Sequence, residues 1–439
     1  MKAALVCLLA ASAWGAQHRA SVKKAPSGSE FAALGQQIVQ MLVSGDFSGA
    51  EQKFDDKMKA ALPEDKLRTT WTSVAGQVGP FQNQLGVKVE KVREHHAVNV
   101  KCAFQSANLT VRVVVGPSKQ VTGLFFIPDQ KYSPPAYVNA SAFQEREVVF
   151  GTKGWMVHGA VTVPAATGPF PAVVLVHGSG PNDRDETLGP NKPFRDLAWG
   201  LATQRIAVLR YEKRTMEHSA QAAGMSNFTV KEETIEDAVS AVGVLRNTER
   251  VDGKRIFVLG HSLGGTLAPW IARTDPGIAG MIVMAGATRP LEDVIVDQYT
   301  YLASLGLVEN NELAKIQEQA ARVKDPRLSS DTPKETLLFG VSAPYWLALR
   351  GYNPPEVARR LAKPMLILQG ERDYQVTMQD FAGWKSVLSS GVAFRSYPSL
   401  NHLFMEGQGT KARPEEYEKP GHVSQTVVED IANWINAHR

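Results

Sequence analysis

The sequence predicts a mostly parallel, doubly wound α/β domain preceded by a small α+β domain. Three observations predict it. Beyond about residue 145, short runs of Val, Ile and Leu alternate with helical stretches, the pattern of strands joined by right-handed crossovers. Two of those runs, 172–176 and 256–259, are apolar on both faces, as expected of central strands covered by helices on each side. Before residue 130 the order differs: helical stretches come first, then short β-branched runs separated by turn residues.

At 439 residues the chain suits two domains of ~100–200 residues each. With 44% hydrophobic and 21% charged residues, its composition is that of a soluble globular protein. The net charge of +4 comes from nearly balanced acids and bases. There is no Lys/Arg run and no aromatic-plus-basic stripe, so no nucleic-acid partner is expected. Lys2 precedes the apolar run 3–11, and Ala13-Trp14-Gly15 puts small residues at −3 and −1 of a cleavage site before Ala16. Residues 1–15 therefore read as a secretory signal peptide, and the mature chain is expected in the periplasm or outside the cell. That run is shorter than the ~20 apolar residues of a stable membrane span, and no later stretch is long enough. Cys7 falls inside the signal, which leaves Cys102 alone: no internal disulfide, cysteine nucleophile or cysteine metal site is expected.

Residues 16–28 are small and polar, a linker. From Glu30, the residues Phe31, Leu34, Ile38, Met41 and Leu42 fall on one helical face. A second helix is predicted over 46–62, ended by Pro63, and a third over 64–78, stopped by Gly79-Pro80. Strands at 86–92, 97–104, 108–115 and 120–127 complete an α+β domain spanning 29–130, in which no chemistry is evident. A linker at 128–135 closes it. The second domain, 145–439, has predicted strands at 147–150, 156–163, 172–176, 206–209, 256–259, 281–284, 365–368 and 393–397. Ile235, Ala238, Val239, Val242 and Leu245 mark a helix over 234–245. The interval 288–361 is helical without a strand and longer than a connection needs; it is expected to be an insertion forming a lid or substrate pocket.

The strongest chemical signal is Ile256-Phe257-Val258-Leu259-Gly260-His261-Ser262-Leu263-Gly264-Gly265. A buried strand runs through Gly-x-Ser-x-Gly into a helix, a turn whose strained serine is exposed above the sheet edge because the glycines remove colliding side chains. The motif alone would fit an inert serine in a tight turn; in this context it marks Ser262 as a nucleophile. Upstream, a central strand ends in His177-Gly178-Ser179-Gly180-Pro181, where the main chain can approach a substrate oxygen. The N–H groups of Ser179 and Leu263 are the expected oxyanion donors, with Gly180 as the alternative to Ser179. His177 is expected to pack and hydrogen-bond rather than to react.

An acid and a base should follow the nucleophile in that order. Asp373 lies just past the strand at 365–368, with Glu371 and Asp380 as alternatives. His402 lies just past the strand at 393–397 and is preferred to His422, His438 and the pair His95-His96. In this reading His402 takes the proton of Ser262, and Asp373 fixes the imidazole tautomer and stabilises its charged form. Such chemistry calls for a small-molecule ester and for no metal or cofactor.

With these residues in place, the chain resembles the α/β-hydrolase superfamily, and more narrowly the bacterial carboxylesterases of the EstD type. The resemblance rests on His177-Gly178-Ser179-Gly180-Pro181-Asn182-Asp183-Arg184-Asp185, on Arg210-Tyr211-x-Lys213-Arg214 with Glu at position 212, on Gly260 to Gly265, and on Asn401-His402-Leu403-Phe404. It implies an α/β-hydrolase fold over about 145–439 and hydrolysis of short acyl esters. The N-terminal part resembles a small domain of cystatin/NTF2-like shape. The charged run 182–186 is expected to form ion pairs with Arg210, Lys213 or Arg214. Rival readings are a peptidase or acyl-aminoacyl hydrolase, an acyltransferase, and a non-catalytic binding protein. A propeller-bearing peptidase is disfavoured by the short N-terminal domain, and a binding protein by the retention of all three reactive residues.

Overall fold

The structure, a computed structural model, describes residues 28–438 apart from 93, 129–131 and 389. The expected signal peptide at 1–15, and the linker up to residue 27, lie outside the described residues. The chain divides into two compact units, one ending at Tyr132 and the other beginning at Ser133.

In the first unit, the helix Gly28–Ser44 buries Phe31, Ile38, Val39 and Leu42. The stretch 46–62, expected as one helix, is two: Phe47–Gln52 and Asp56–Ala61. Between them Phe54 is fully buried and bridges Val121, whose N–H and C=O bond to Lys53 O and Asp55 N. Burying that ring, at ~1.5–3 kcal/mol, outweighs the continuity of a polar helix. Asp46 and Asp55 cap the two helices by accepting from the N–H of Gly49 and of Met58. The helix Glu64–Val78 ends at Gly79 as expected. Strands β1 (Phe81–Val92), β2 (His95–Phe104), β3 (Asn108–Val115) and β4 (Val121–Pro128) form an antiparallel sheet in chain order. Along β3, Leu109, Val111, Val113 and Val115 are buried, so alternate side chains enter the core. Cys102 joins them from β2, and burial pushes its thiol pKa up to about 11.

The second unit contains β5 (Phe143–Thr152), β6 (Trp155–Pro164), β7 (Phe170–Val176), β8 (Ala207–Tyr211), β9 (Val251–His261), β10 (Gly280–Met284), β11 (Met365–Gly370) and β12 (Val392–Tyr397). They form one sheet in the order β12-β11-β10-β9-β7-β8-β6-β5. Neighbours from β12 to β8 are parallel; β6 runs antiparallel to both β8 and β5. Strands β7, β8, β10 and β11 are buried along their whole length, which explains their mostly apolar sequence; the exceptions, Arg210 and Gln369, are buried with hydrogen-bond partners. Val173 and Leu175 pack on one face against helices Pro193–Thr203 and Gln425–Ala437. Val174 and Val176 pack on the other against Glu236–Arg246 and Leu263–Thr274.

From β7 the chain moves to β8 on one side and returns to β9 on the other. The loops leaving β7 and β9 therefore emerge side by side at a topological switch point, where open α/β sheets hold their ligands. The interval 288–361 consists of helices Leu291–Ser304, Asn310–Lys324, Ala343–Leu349 and Pro354–Leu361 with short 3-10 turns, and has no strand among the described residues. Its start is anchored by Asp380, which accepts from Thr288 and Arg289. Gln298 Nε2 and Tyr301 Oη donate to the carbonyls of Gln375 and Ala412, tying the insertion to the segments that follow β11 and β12. No helix among the described residues is long and apolar enough to cross a membrane.

Candidate active site

Ser262 stands between β9 and the helix Leu263–Thr274 with φ 54° and ψ −118°. A non-glycine residue in such a conformation costs on the order of 1–3 kcal/mol. The surroundings enforce it. A Cβ on Gly260 would lie 2.1 Å from Gly264 O, and one on Gly264 would lie 2.3 Å from Val176 O. The serine main chain is held by its N–H to Met284 O at 2.9 Å and by its C=O, which accepts from Thr266 N at 3.0 Å.

Asp373 and His402 come together from the loops after β11 and β12. His402 Nδ1 lies 2.6 Å from Asp373 Oδ2, and both side chains are buried. Against a carboxylate acceptor the proton resides on Nδ1, which leaves the Nε2 lone pair available as a base. The carboxylate is fixed from several sides: Oδ1 accepts from Gln375 N at 2.7 Å and Val376 N at 3.1 Å, and Oδ2 also accepts from Gln369 Nε2 at 3.3 Å. Among the described residues no hydrogen bond joins Ser262 Oγ to the ring of His402. The two are linked one residue away, where His261 Nε2 donates to His402 O at 2.9 Å. Serine–imidazole contacts in unliganded sites are often long and tighten only when substrate binds.

The loop after β7 lies directly against the serine. A Cβ on Gly178 would stand 3.1 Å from Ser262 Cβ and 3.6 Å from Oγ. The N–H of Gly178 is taken by Glu186 Oε1 at 2.6 Å. Those of Ser179 and Leu263 have no acceptor among the described residues. The other oxygen of Glu186 lies 2.9 Å from His261 Nδ1, an ion pair buried beside the serine. Burial opposes charge on both partners. Their mutual attraction outweighs it, raising the His261 pKa and, with the help of His177 and the Gly178 N–H, lowering that of Glu186.

The other candidates lie in different places. Glu371 is exposed and accepts from Ser396 Oγ, and Asp380 is engaged by Arg289. His422 meets Asp196, and His438 meets Trp434 O. His177 packs between Phe194 and Tyr211 and donates to Asp183 O; burial lowers its pKa to about 4. Of the ion pairs expected for 182–186, Asp185–Arg210 forms at 2.7 Å. Lys213 and Arg214 instead pair with Glu233 and Asp237, because the turn and helix after residue 230 bring carboxylates beneath them. Sequence reasoning placed Glu186 in a charged, ion-pairing run but missed its partner His261, and it missed Glu233 altogether as part of the site's surroundings. The advance signal was that Glu186 follows the glycine loop and His261 precedes the nucleophile. Among the described residues no cluster of His, Cys, Asp or Glu is arranged to hold a metal ion.

Comparison with known proteins agrees with this architecture. Residues 173–418 match the family model described as "Alpha/beta hydrolase family", and residues 35–124 match one described as "Protein of unknown function (DUF3887)". Esterase EstD of Thermotoga maritima is 39% identical over 402 residues, covering 91% of this chain and 93% of that protein. Among solved structures, an α/β hydrolase of Penicillium sp. sh18 is similar over 67% of this chain and 99% of its own, at 15% identity and a TM-score of 0.45. A Pyrococcus furiosus esterase is similar over 70% and 98%, at 17% identity and 0.43. The order of the sheet, the serine turn and the matched sequence lead to one assignment: this chain belongs to the alpha/beta hydrolase family and is a hydrolase.

Proposed function

We propose that the chain is a serine carboxylesterase that hydrolyses short-chain acyl esters through Ser262, His402 and Asp373. The observation that carries this reading is the buried 2.6 Å contact between His402 Nδ1 and Asp373 Oδ2, at the same sheet edge as a serine held in a strained turn. The similarity to an esterase over most of the chain supports the ester as substrate.

In this reading His402 Nε2 accepts the hydroxyl proton as Ser262 Oγ attacks the ester carbonyl. The N–H groups of Leu263 and Ser179 receive the oxyanion, each worth about 3–4 kcal/mol to the transition state. Collapse of the tetrahedral intermediate breaks the C–O bond, and the imidazolium returns its proton to the departing alcohol. Water, deprotonated by the same ring, then cleaves the acyl-enzyme. Export directed by residues 1–15 is part of the proposal. A series of p-nitrophenyl esters of increasing chain length tests it on wild type and Ser262→Ala. The expected result is turnover favouring acetate and butyrate in the first and a near-background rate in the second; undiminished turnover in the variant refutes the assignment.

A further inference from the structure

The mechanism leaves unexplained a buried cation at the end of β8, two strands from the one that leads into the serine. Lys213, just past β8, is 1% exposed and reaches the glycine loop with both its side chain and its main chain. Its Nζ donates to Gly178 O at 2.6 Å, and its backbone N–H donates to Asn182 O at 3.0 Å. It thus brackets the segment that carries Ser179. Asn182 Nδ2 lies across the same segment, reaching Gly178 O at 3.3 Å, Ser179 O at 3.1 Å and Gly180 O at 3.3 Å, and Thr215 Oγ1 reaches Gly180 O at 3.4 Å; the shortest of the bonds to Gly178 O is that from Lys213.

A trans peptide is planar, with its C=O and N–H pointing in opposite directions. The C=O of Gly178 and the N–H of Ser179 belong to one such unit. Fixing the carbonyl on Lys213 therefore fixes the direction of the Ser179 N–H, and a cation on the carbonyl oxygen polarises the unit and makes that N–H a stronger donor. Lys213 is itself fixed. Its Nζ lies 2.7 Å from Glu233 Oε1, and Glu233 Oε2 accepts from Tyr345 Oη at 2.6 Å. Glu233 sits in the π-helical turn Lys231–Ile235, a local widening of the helix of a kind that recurs at functional sites. Tyr345 belongs to the helix Ala343–Leu349 of the insertion. Burial, reinforced by the charge of Glu233, raises the phenol pKa, so the tyrosine stays protonated and donates.

We propose that Lys213 is a positioning residue for ester hydrolysis, orienting and polarising the Ser179 N–H through the 178–179 peptide, and that Glu233 and Tyr345 carry the seating of the helical insertion into that donor. The inference rests on the esterase reading above and adds to it a physical link between insertion and oxyanion site. It also favours Ser179 over Gly180 as the second donor.

Steady-state hydrolysis of p-nitrophenyl butyrate by the full chain tests it, with active sites counted by fluorophosphonate titration. Lys213→Met keeps the aliphatic stem and removes the cation. It should lower kcat about 10²–10³-fold, as expected for loss of an oxyanion donor, with KM little changed. Affinity for a trifluoromethyl ketone, whose serine adduct carries the oxyanion, should weaken in parallel with kcat/KM. Lys213→Arg, which retains a cation, should lose less. Tyr345→Phe removes one oxygen and should lower kcat about 2–30-fold, so it tests the link even if Lys213→Met fails to fold. A folded Lys213→Met protein with kcat per titrated site within about twofold of wild type would overturn the role of Lys213, and a Tyr345→Phe protein with unchanged kcat would overturn its link to the insertion, since a purely structural role predicts those results. With Ser262→Ala inactive in the same assay, such a result would leave the esterase reading standing. An active Ser262→Ala protein would instead remove that reading and this inference together.

Discussion

His402 Nδ1 faces Asp373 Oδ2 across 2.6 Å, and the aspartate is held by two backbone N–H groups and the amide of Gln369. The carboxylate therefore cannot rotate away from the ring, and the ring tautomer is set by the acceptor it faces. Asp373→Asn presents an N–H where the carboxylate presented an acceptor, so the ring turns its proton to Nε2 and loses its base. The expected outcome is a fall in kcat of about 10⁴-fold with little change in KM. Steady-state kinetics with a p-nitrophenyl ester measure it; a loss below tenfold would mean that Asp373 is not the orienting acid.

The pair Glu186–His261 predicts a pH-dependent stability. Its carboxyl pKa is lowered and its imidazole pKa raised by the partner, against burial in both cases. A lowered carboxyl stabilises the fold above its unfolded value of about 4.3 and loses that contribution as pH falls through the folded value. A raised imidazole stabilises it below about 6.5 and loses that contribution as pH rises through the folded value. The pair is thus worth most between about pH 4.3 and 6.5. Glu186→Gln should lower the urea midpoint most in that window, and its gap to wild type should narrow as pH rises through the raised pKa of His261 and the ring releases its proton. A gap independent of pH would assign the effect to packing.

The strained backbone at Ser262 predicts a trade of activity for stability. Glycine tolerates positive φ without the Cβ contacts that penalise serine. Ser262→Gly should therefore raise unfolding stability by about 1 kcal/mol while abolishing turnover. Urea denaturation monitored by tryptophan fluorescence reads the first effect. A variant less stable than wild type would show that the serine side chain contributes more by its contacts than its conformation costs.

Much of this site was legible in the sequence. Gly260, Ser262 and Gly264 are recognisable because a turn between a buried strand and a helix restricts residue types locally, and Asp373 and His402 follow strands whose apolar runs are equally local. The split of 46–62 into two helices was not legible, since it depends on Phe54 pairing with Val121 across the fold. Nor was the partner of Lys213: Glu233 is reached only once β8 is in place, and Tyr345, its other partner, lies 112 residues further along the chain. Composition marks such residues as charged or aromatic, but only packing decides which of them meet.

The anchorage of the segment after His402 predicts where proteolysis begins. The Arg372 guanidinium binds both oxygens of Glu416 and the carbonyls of Gly409 and Gln408, and a Cβ on Gly407 would collide with it. Arg372→Met removes these bonds at once and should release the stretch around 406–418. Limited trypsin digestion under native conditions should then cut after Lys411, since the bond after Arg413 leads into Pro414 and resists trypsin, well before the rest of the fold opens. Identical digestion of variant and wild type would show that other contacts hold the segment.

Cys102 has a consequence of another kind. Burial pushes its pKa up to about 11, so the thiol stays protonated at neutral pH, and its sulfur is closed off by the core of the first unit. Exchange with disulfides and attack by peroxide both require an accessible thiolate. The Cys102 sulfur is thus passivated by its surroundings, and in the folded protein it should resist disulfide exchange and oxidation in air without a reductant.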